Sequence, residues 1–399
     1  MGWGKQSRMY FYIFGVFIIL WILLSIATYF LTARFRQHLT DFYPRWEGSR
    51  AALAGENPYS PEVSWIIQET MFGRRQEPYE IVQHYVYPAT LTWLLIPFWI
   101  LPYPIAVSLW QGLQLLLLLL CPVGVILLLR WELRGISFFL LAILSLFGFR
   151  HPINTYVLGQ FIPFVLASTI LAWYRTAINK PVITYLGLLG LLVRPEVVVI
   201  PIIVLLLHNW VERRRGVIAA WIGSLFFLWL LTRLWIGPWE FDFLNGIISY
   251  TGYSFVRWPP LALGNLWIGM LVALCVIGWG MWMLWSVRNL PSPKRLPWEI
   301  SVSVVTTLIL LPQTNNYTLV LALIPIWVTL WASEGAYLNW ILLSAILLSP
   351  WVFYALNETL FSGVEQLIIP LVIGGVLTRQ WKVWICKERK DQAQQLPRR

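Results

Sequence analysis

Apolar runs of bilayer length alternate with short polar segments along most of the chain. The clearest apolar runs cover residues 10–31, 105–129, 217–235 and 266–285. A helix that crosses a bilayer needs roughly 20 predominantly apolar residues, and shorter apolar runs fill much of the remaining sequence. The pattern therefore predicts an all-α polytopic membrane protein with roughly 11–12 membrane segments.

Two apolar runs are interrupted in ways that a straight helix does not tolerate. Residues 88–104 contain four prolines, and proline removes helix hydrogen bonds, so we expect a short or re-entrant helix there. Residues 181–207 have bilayer length, but Arg194-Pro195-Glu196 stands in the middle. Ionisable groups at that depth are costly unless they face protein or water. We favour a hairpin that turns at Arg194 toward the outer face; strict alternation of crossings is the other interpretation.

The long polar stretch at residues 32–87 is the exception to this pattern. It is rich in Trp, Tyr and Pro, and a loop of that length in a compact protein is usually functional or disordered. Because its composition argues against disorder, we expect a structured outer loop. The chain is then one transmembrane domain, 1–399, with a first membrane helix (10–31), an outer loop (32–87), further membrane helices (88–381) and a basic tail (382–399).

The composition supports a membrane location and indicates the orientation. The 399 residues are 58% hydrophobic and 12% charged, and the mean hydropathy is +0.67. Most of the 29 Lys and Arg lie in short segments on one predicted side and in the tail, which is the positive-inside pattern. We therefore expect a multi-pass protein of the plasma membrane, among membrane lipids, with both termini cytoplasmic. Because the net charge of +11 follows this pattern, no nucleic-acid partner is expected.

The sequence lacks the common signatures of metal and nucleotide sites. The three cysteines have no paired spacing, so they indicate neither a disulfide framework nor a metal site. No His, Glu or Cys cluster has metal-ligand spacing, and neither a P-loop nor a dinucleotide-binding glycine pattern occurs. We expect no metal and no other cofactor. The many Trp and Tyr are typical of interfacial belts, and some of them can also line a groove for a sugar or a lipid.

Asp41 is the first candidate for chemistry, because it directly follows the first apolar run. A carboxylate at the membrane rim can act as a general base toward a hydroxyl group. Asp41 is equally well placed as the N-cap of a helix that begins in the sequence after it. Asp242, a second carboxylate in a predicted outer loop, is the weaker candidate.

Four basic side chains fall near the outer ends of predicted membrane segments: Arg150, His151, Arg194 and Arg257. A guanidinium group binds phosphate through paired hydrogen bonds. The alternative for Arg150 and Arg257 is that the side chain extends to the membrane interface. For Arg194, in the middle of its segment, the alternative is an internal ion pair with Glu196.

Two further polar features lie between apolar runs. His84 ends the outer loop, and a single histidine is more often a structural hydrogen-bonding group than a ligand. Gln313, Asn315, Asn316 and Tyr317 form a polar cluster between two predicted spans. These side chains can hydrogen-bond a sugar or a phosphate, and they can equally cap helix ends.

Several of these segments together resemble glycosyltransferase family 87, whose members have the GT-C fold. The motifs follow one another in the expected order over nearly the whole chain. They are Asp41-Phe42-Tyr43, Ala51 to Tyr59, Tyr87-Pro88-Ala89, Pro97, Leu101-Pro102, Trp110, Gly159-Gln160, Arg194-Pro195-Glu196 and Pro312 to Tyr317.

The resemblance implies a GT-C fold and a membrane hexosyltransferase. Such enzymes move a sugar, typically mannose, from a polyprenyl-phosphate carrier to a lipid-linked or cell-envelope acceptor on the outer face, without a metal. By this resemblance Asp41 is the general base in an outer catalytic loop. The resemblance implies that Arg194 holds the carrier phosphate, and Arg257, Arg150 and His151 complete the predicted donor-phosphate group because of their predicted place at the outer ends of membrane segments. The implied acceptor- and sugar-binding group is Tyr43, Tyr59, His84, Tyr87, Gln160, Asn315, Asn316 and Tyr317.

Three positions depart from the family pattern. Arg194 stands where the family commonly has Lys before Pro. Asn315-Asn316 stands where the family often has a histidine before the tyrosine, and Ala89 replaces a proline after Tyr87-Pro88.

Two other functions fit parts of the sequence. A transporter or flippase of lipid-linked saccharides would also need a lipid groove and a mid-membrane arginine, but not a carboxylate on a structured outer loop. It would also favour internal symmetry, and no residue-level repeat is visible. A membrane scaffold without catalytic activity would have no use for the interruption at Arg194.

Overall fold

A computed structural model describes residues 3–33, 40–77, 80, 82–133, 135–177, 181–253, 258–312, 316–333 and 337–395. Within these ranges every regular element is helical. The α-helices, numbered in chain order, are α1 Trp3–Thr28, α2 Phe42–Leu53, α3 Pro61–Phe72, α4 Leu91–Leu94, α5 Ile96–Trp99, α6 Tyr103–Leu128, α7 Ile136–Ile143, α8 Arg150–Leu158, α9 Ile162–Ala177, α10 Pro181–Gly190, α11 Val199–Val211, α12 Arg215–Ile236, α13 Glu240–Tyr253, α14 Leu266–Val287, α15 Ser292–Leu310, α16 Leu323–Ala332 and α17 Tyr337–Gln395. The all-α class is therefore confirmed.

Four helical segments in the described ranges are long and apolar enough to cross a membrane: Tyr12–Leu31, Tyr103–Leu128, Arg215–Ile236 and Leu266–Val287. A fifth is added if the bent pair Ile136–Gly148 and Arg150–Leu158, with 56° between its halves, counts as one span. Only 11% of the positions in the first and third segments are buried. Exposed apolar surface of this extent needs a nonpolar solvent, so these helices are consistent with a membrane protein.

Both interrupted runs are broken where the sequence predicts. Residues 88–104 form the single-turn helices α4 and α5 before α6 begins. Helix α10 ends at Gly190 and continues as the 3₁₀ turn Leu191–Val193, and Arg194 then leaves helical geometry with φ −146° and ψ 68°. The residue before a proline is driven out of the α region by contact with the proline ring, which explains the position of this break.

The polar sequences at residues 150–160, 236–265 and 355–366 predict loops between membrane segments, but all three are wholly or partly helical. Residues 150–160 contain α8, residues 236–265 contain α13, and residues 355–366 lie inside α17. Helix α13 begins with acidic residues in its first turn, which stabilise the positive end of the helix dipole. Residues 355–366 contain no proline, so nothing in the local sequence stops the helix. Polarity alone was a poor guide to where these helices end.

The described chain divides into two compact units. The first comprises Met1–Leu120, Asn154–Phe164 and Ile222–Ser254. Its centre is α2, which packs against α3, α4 and α5. Phe42, fully buried at the start of α2, stacks on Trp110 with ring centroids 5.8 Å apart. Aromatic burial of this kind fixes the start of the helix, and with it the position of Asp41.

The second unit comprises Cys121–Ile153, Val165–Trp221 and Phe255–Arg399. Its central helix is α15, which packs against α11, α14, α16 and α17. Nearly every side chain of α15 from Arg295 to Ile309 is buried. A helix that is apolar on all sides is expected at the centre of a bundle, and α15 occupies that place in its unit.

Candidate functional site

Asp41 occupies the N-cap position of α2, but its carboxylate does not cap the helix. The residue has φ −63° and ψ −6° and makes no side-chain capping hydrogen bond. Its Oδ2 instead accepts a short hydrogen bond from Gln160 Nε2. The side chain is half-buried, whereas Phe42 beside it is fully buried. The capping role considered from the sequence is therefore not the one that the carboxylate has in this structure.

Gln160 connects Asp41 to a buried cation. Its side chain is fully buried, and Oε1 accepts a hydrogen bond of 2.6 Å from Arg45 Nη2. Because a guanidinium group can only donate, Oε1 must face Arg45, and the amide nitrogen must then face Asp41. The orientation of the amide is therefore fixed by chemistry on both sides. The sugar-binding role of Gln160 stays a prediction, and in this structure its amide nitrogen donates to Asp41 Oδ2.

Arg45 is the residue of this site that the sequence did not reveal. It is 1% exposed and donates to Gly159 O over 3.1 Å. Its guanidinium carbon lies over the rings of Tyr87 and Phe161, at 4.8 and 4.7 Å from their centroids. Cation–π contact and charged hydrogen bonds together offset part of the cost of burying its charge. The available signal was the spacing, since Arg45 follows Asp41 by one helical turn.

The backbone geometry at position 159 explains why the Gly159-Gln160 motif contains a glycine. Its φ is +65°, and a Cβ built there would lie 3.0 Å from Phe42 Cβ. Its carbonyl oxygen accepts from both Arg45 Nη1 and Trp110 Nε1, each over 3.1 Å. A residue with a side chain would be strained in this backbone conformation. Glycine therefore allows α2 to approach the segment that holds Gln160.

Three tyrosines of the predicted acceptor group, Tyr43, Tyr59 and Tyr87, lie in the same unit. Tyr43 is 4% exposed and packs edge-on against Tyr103 with ring centroids 5.1 Å apart. Burial raises the pKa of Tyr43 above its ordinary value. Tyr59 donates to the carbonyl oxygen of Tyr87 over 2.6 Å. Tyr43 is thus part of the packed core, whereas Tyr59 and Tyr87 are half-buried.

His84 is a half-buried histidine held between two backbone carbonyls. Its Nδ1 lies 3.2 Å from Val82 O and its Nε2 lies 3.3 Å from Gly246 O. Burial lowers the pKa of His84 from its ordinary value, against the opposing effect of the two carbonyls. The ring is therefore neutral at pH 7.

In the second unit, Arg194 forms the ion pair considered from the sequence. Its Nε donates to Glu196 Oε1 over 2.6 Å, and its guanidinium carbon lies 5.8 Å from the centroid of the Tyr317 ring. The Arg194 side chain is 7% exposed, while that of Glu196 is 55% exposed. The structure thus brings together the Arg194-Pro195-Glu196 break and the late polar motif.

His151 and Asn316 belong to a buried polar network. His151 Nε2 lies 2.9 Å from Glu365 Oε1, Asn316 donates to the other oxygen of that carboxylate, and Gln366 donates to Asn316 Oδ1 over 2.8 Å. All four side chains are almost fully buried. Glu365 was missed because its segment was predicted to be a loop. A carboxylate in contact with both side chains disfavours an anion there, which speaks against phosphate binding by His151.

Three other predicted residues remain to be placed. The guanidinium carbon of Arg150 lies 3.8 Å from the centroid of the Tyr354 ring, a cation–π contact within the second unit. Arg257 and Asn315 lie outside the described residues.

The predicted site residues therefore fall into two groups. Asp41, Gln160, Tyr59, Tyr87, Tyr43 and His84 lie in the first unit, and Arg194, Tyr317, Arg150, His151 and Asn316 lie in the second. The proximity of Asp41 to Arg194 stays a prediction. Among the described residues, no group of three or more His, Cys, Asp or Glu has the arrangement of a metal site.

No protein-family model, no curated protein and no solved structure matches the chain.

Proposed function

We propose that this protein is a membrane glycosyltransferase that moves a sugar from a polyprenyl-phosphate carrier to an acceptor hydroxyl at the outer membrane face. Mannose is the sugar that the family resemblance favours, and a lipid or glycolipid is the acceptor class. The observation that carries the proposal is the Asp41 carboxylate, which is half-buried and held by Gln160 and Arg45. A carboxylate that merely capped α2 would not need this support.

In the proposed reaction Asp41 is the general base. Its carboxylate takes the proton of the acceptor hydroxyl while the hydroxyl oxygen forms a bond to the anomeric carbon of the sugar. The bond from that carbon to the carrier phosphate breaks, and its electron pair leaves with the phosphate. One displacement inverts the configuration at the anomeric carbon.

Gln160 and Arg45 position the base and do not contact the reacting atoms. The hydrogen bond from Gln160 favours the ionised carboxylate, which is the form that accepts a proton. Arg45 keeps the amide of Gln160 turned toward Asp41. A fixed base next to the acceptor lowers the entropic part of the barrier.

Arg194 is the proposed partner of the carrier phosphate. Guanidinium groups suit the charge that grows on a departing phosphate. Its buried place at a helix break beside Tyr317 is typical of a polar site within an apolar segment. The polyprenyl tail would lie among the apolar helices.

The decisive experiment compares the wild-type protein with Asp41→Asn. The purified protein is incubated with polyprenyl-phosphate-mannose and a membrane glycolipid fraction, and release of the carrier phosphate and inversion in the product are measured. Loss of a general base should lower turnover roughly 10²- to 10⁴-fold, with donor binding retained. The exposed Glu56→Gln in the same loop is the matched control.

Full turnover by Asp41→Asn would remove Asp41 from the mechanism. Movement of the intact carrier across a bilayer, without release of its sugar, would favour the transporter instead.

A further inference from the structure

A partly open cavity of about 440 Å³ lies within the first unit, beside α3 and α13. This volume falls in the usual range for small-molecule sites. Apolar surface and hydrogen-bonding groups both line it, and the hydrogen-bonding side chains include Tyr59, Ser64, His84, Asp242, Asn245 and Ser249. Hydroxyl, amide, imidazole and carboxylate groups around one space can both donate to and accept from a ligand with many hydroxyl groups.

The charge of the lining decides what kind of ligand fits. Asp242 is the acidic side chain, and among the described residues that line the cavity none is Lys or Arg. Burial keeps His84 neutral at pH 7. A phosphate group would meet a carboxylate without a compensating cation. The cavity is therefore suited to a neutral polyol rather than to the anionic part of a donor.

Two groups of the lining are held in place by their neighbours. Asn57 donates to Asp242 Oδ2 over 2.6 Å, so one oxygen of the carboxylate is fixed. The ring of Tyr59 stacks on Trp239 at 6.4 Å and 15°. A fixed carboxylate can orient a sugar ring, because hydroxyl groups of the sugar donate hydrogen bonds to it.

The cavity is joined to Asp41 by a continuous series of contacts in the same unit. Tyr59 donates to the carbonyl oxygen of Tyr87, and the Tyr87 ring lies against the Arg45 guanidinium. Arg45 holds Gln160, and Gln160 holds Asp41. A ligand fixed in the cavity is thus fixed relative to the proposed base.

We infer that this cavity binds the neutral saccharide headgroup of the acceptor, with Asp242 accepting hydrogen bonds from its hydroxyl groups. The role as acceptor rests on the proposed function, whereas saccharide binding itself does not. Asn245 and Ser249 complete the polar wall from α13.

Gly246 offers a clean way to close the cavity. It lies in α13 and lines the space, and a Cβ built on it would be 3.9 Å from His84 Nε2, an ordinary contact. Gly246→Leu removes a glycine from a helix interior, which favours the helix, and places a branched side chain in the cavity. Gly246→Ala is the matched control, because it makes the same backbone change with little loss of space.

Binding is measured on the full-length protein in lipid nanodiscs by saturation-transfer NMR, with methyl α-mannoside and mannotriose as neutral probes and inorganic phosphate as the anionic probe. We expect the wild-type protein to bind the saccharides and not phosphate. Asp242→Asn should weaken saccharide binding roughly 10- to 100-fold, as for loss of hydrogen bonds to a charged group. Gly246→Leu should abolish it, and Gly246→Ala and the exposed Glu62→Gln should leave it within about threefold.

Absence of saccharide binding by the wild-type protein, or equal binding by Gly246→Leu, would overturn the inference. Phosphate that competes with the saccharide would do the same. If the protein binds saccharide but turns over no polyprenyl-phosphate sugar, the proposed function fails and the cavity assignment stands. If turnover is normal and Gly246→Leu leaves the acceptor KM unchanged, the cavity assignment fails and the enzyme proposal stands.

Discussion

Gln160→Glu tests the support of Asp41 with an almost isosteric change. In the wild-type protein Arg45 Nη2 lies 2.6 Å from Gln160 Oε1, and the glutamate side chain keeps an oxygen at that place. It replaces the amide donor that faces Asp41 Oδ2 with a second oxygen. Two carboxylates at hydrogen-bond distance cannot both be ionised without strong repulsion, so the pair is expected to share one proton near neutral pH.

The size of the effect follows from the contact distance. At about 3 Å, with an effective dielectric constant of about 20, two unit charges repel by roughly 5 kcal/mol. Arg45 offsets part of this through its charge. The acid limb of the pH–rate profile should then move upward by roughly one to three pH units. Because the ordinary pKa of Asp is about 4, protonation of the base should lower turnover at pH 7 by no more than about twofold and turnover at pH 5 by roughly 2- to 100-fold.

The assay is sugar transfer from a polyprenyl-phosphate donor between pH 5 and 9, together with thermal unfolding over the same range. In the variant the folded state binds a proton that the unfolded state releases above about pH 4. Its stability relative to wild type should therefore fall as pH rises from 5 toward the new limb. Gln68→Glu is the control, because Gln68 is buried in the same unit and its oxygen accepts from Gln76 N.

The assigned role of Gln160 is refuted if Gln160→Glu has an unchanged pH–rate profile and its stability difference from wild type does not vary with pH. Gln160 would then not support the Asp41 carboxylate. A loss of stability with the same dependence on pH in Gln68→Glu would show that only the burial of a carboxyl group had been measured.

Three further changes test the same unit. Gly159→Ala should lower the free energy of unfolding by about 2–4 kcal/mol, because φ is +65° and the new Cβ would lie 3.0 Å from Phe42 Cβ. Gly55→Ala, with φ +86° and open space around it, should show only the cost of the backbone conformation. Equal losses in the two variants would mean that the close approach to Phe42 costs nothing. Arg45→Lys keeps the charge but loses the planar guanidinium group. It should cost about 2–3 kcal/mol of stability and lower kcat with little change in the donor KM. A normal kcat would show that Arg45 does not position Asp41 through Gln160. Burial lowers the pKa of His84, so below about pH 6.5 the unfolded state binds more protons than the folded state. Stability, measured by thermal unfolding, should therefore decline as pH falls below that value. If His84→Gln keeps the wild-type dependence of stability on pH, the titration belongs to another group.

The sequence was informative wherever the signal was local. The apolar runs predicted helices, and the prolines and Arg194-Pro195-Glu196 predicted where two runs break. Each of these features acts on the backbone within a few residues, through hydrogen bonds or ring contacts. The polar character of residues 355–366 was misleading because polar side chains are compatible with a helix when no residue stops it.

The contacts that form the candidate site were beyond such reasoning. Gln160 and Asp41 are 119 positions apart, and Gln160 and Arg45 are 115 apart. No periodicity links residues at that separation, and a single chain without aligned relatives carries no record of which positions change together. The Gly159-Gln160 motif marked the segment as special, but only the fold showed that its amide faces Asp41.

The degree of burial distinguishes the two supporting residues, Gln160 and Arg45, from the proposed base, Asp41. Gln160 and Arg45 are almost fully buried, whereas Asp41 is half-buried at the start of α2. The buried pair is fixed by contacts to Gly159 and Tyr87, and through Gln160 it holds the carboxylate oxygen within the small tolerance that the proposed catalysis requires. A half-buried Asp41 stays accessible to a hydroxyl group that approaches from outside. An uncharged residue at position 41 would leave the buried Arg45 charge without the carboxylate to which Gln160 connects it, so stability and turnover must be measured together in Asp41→Asn to separate the two roles of the carboxylate.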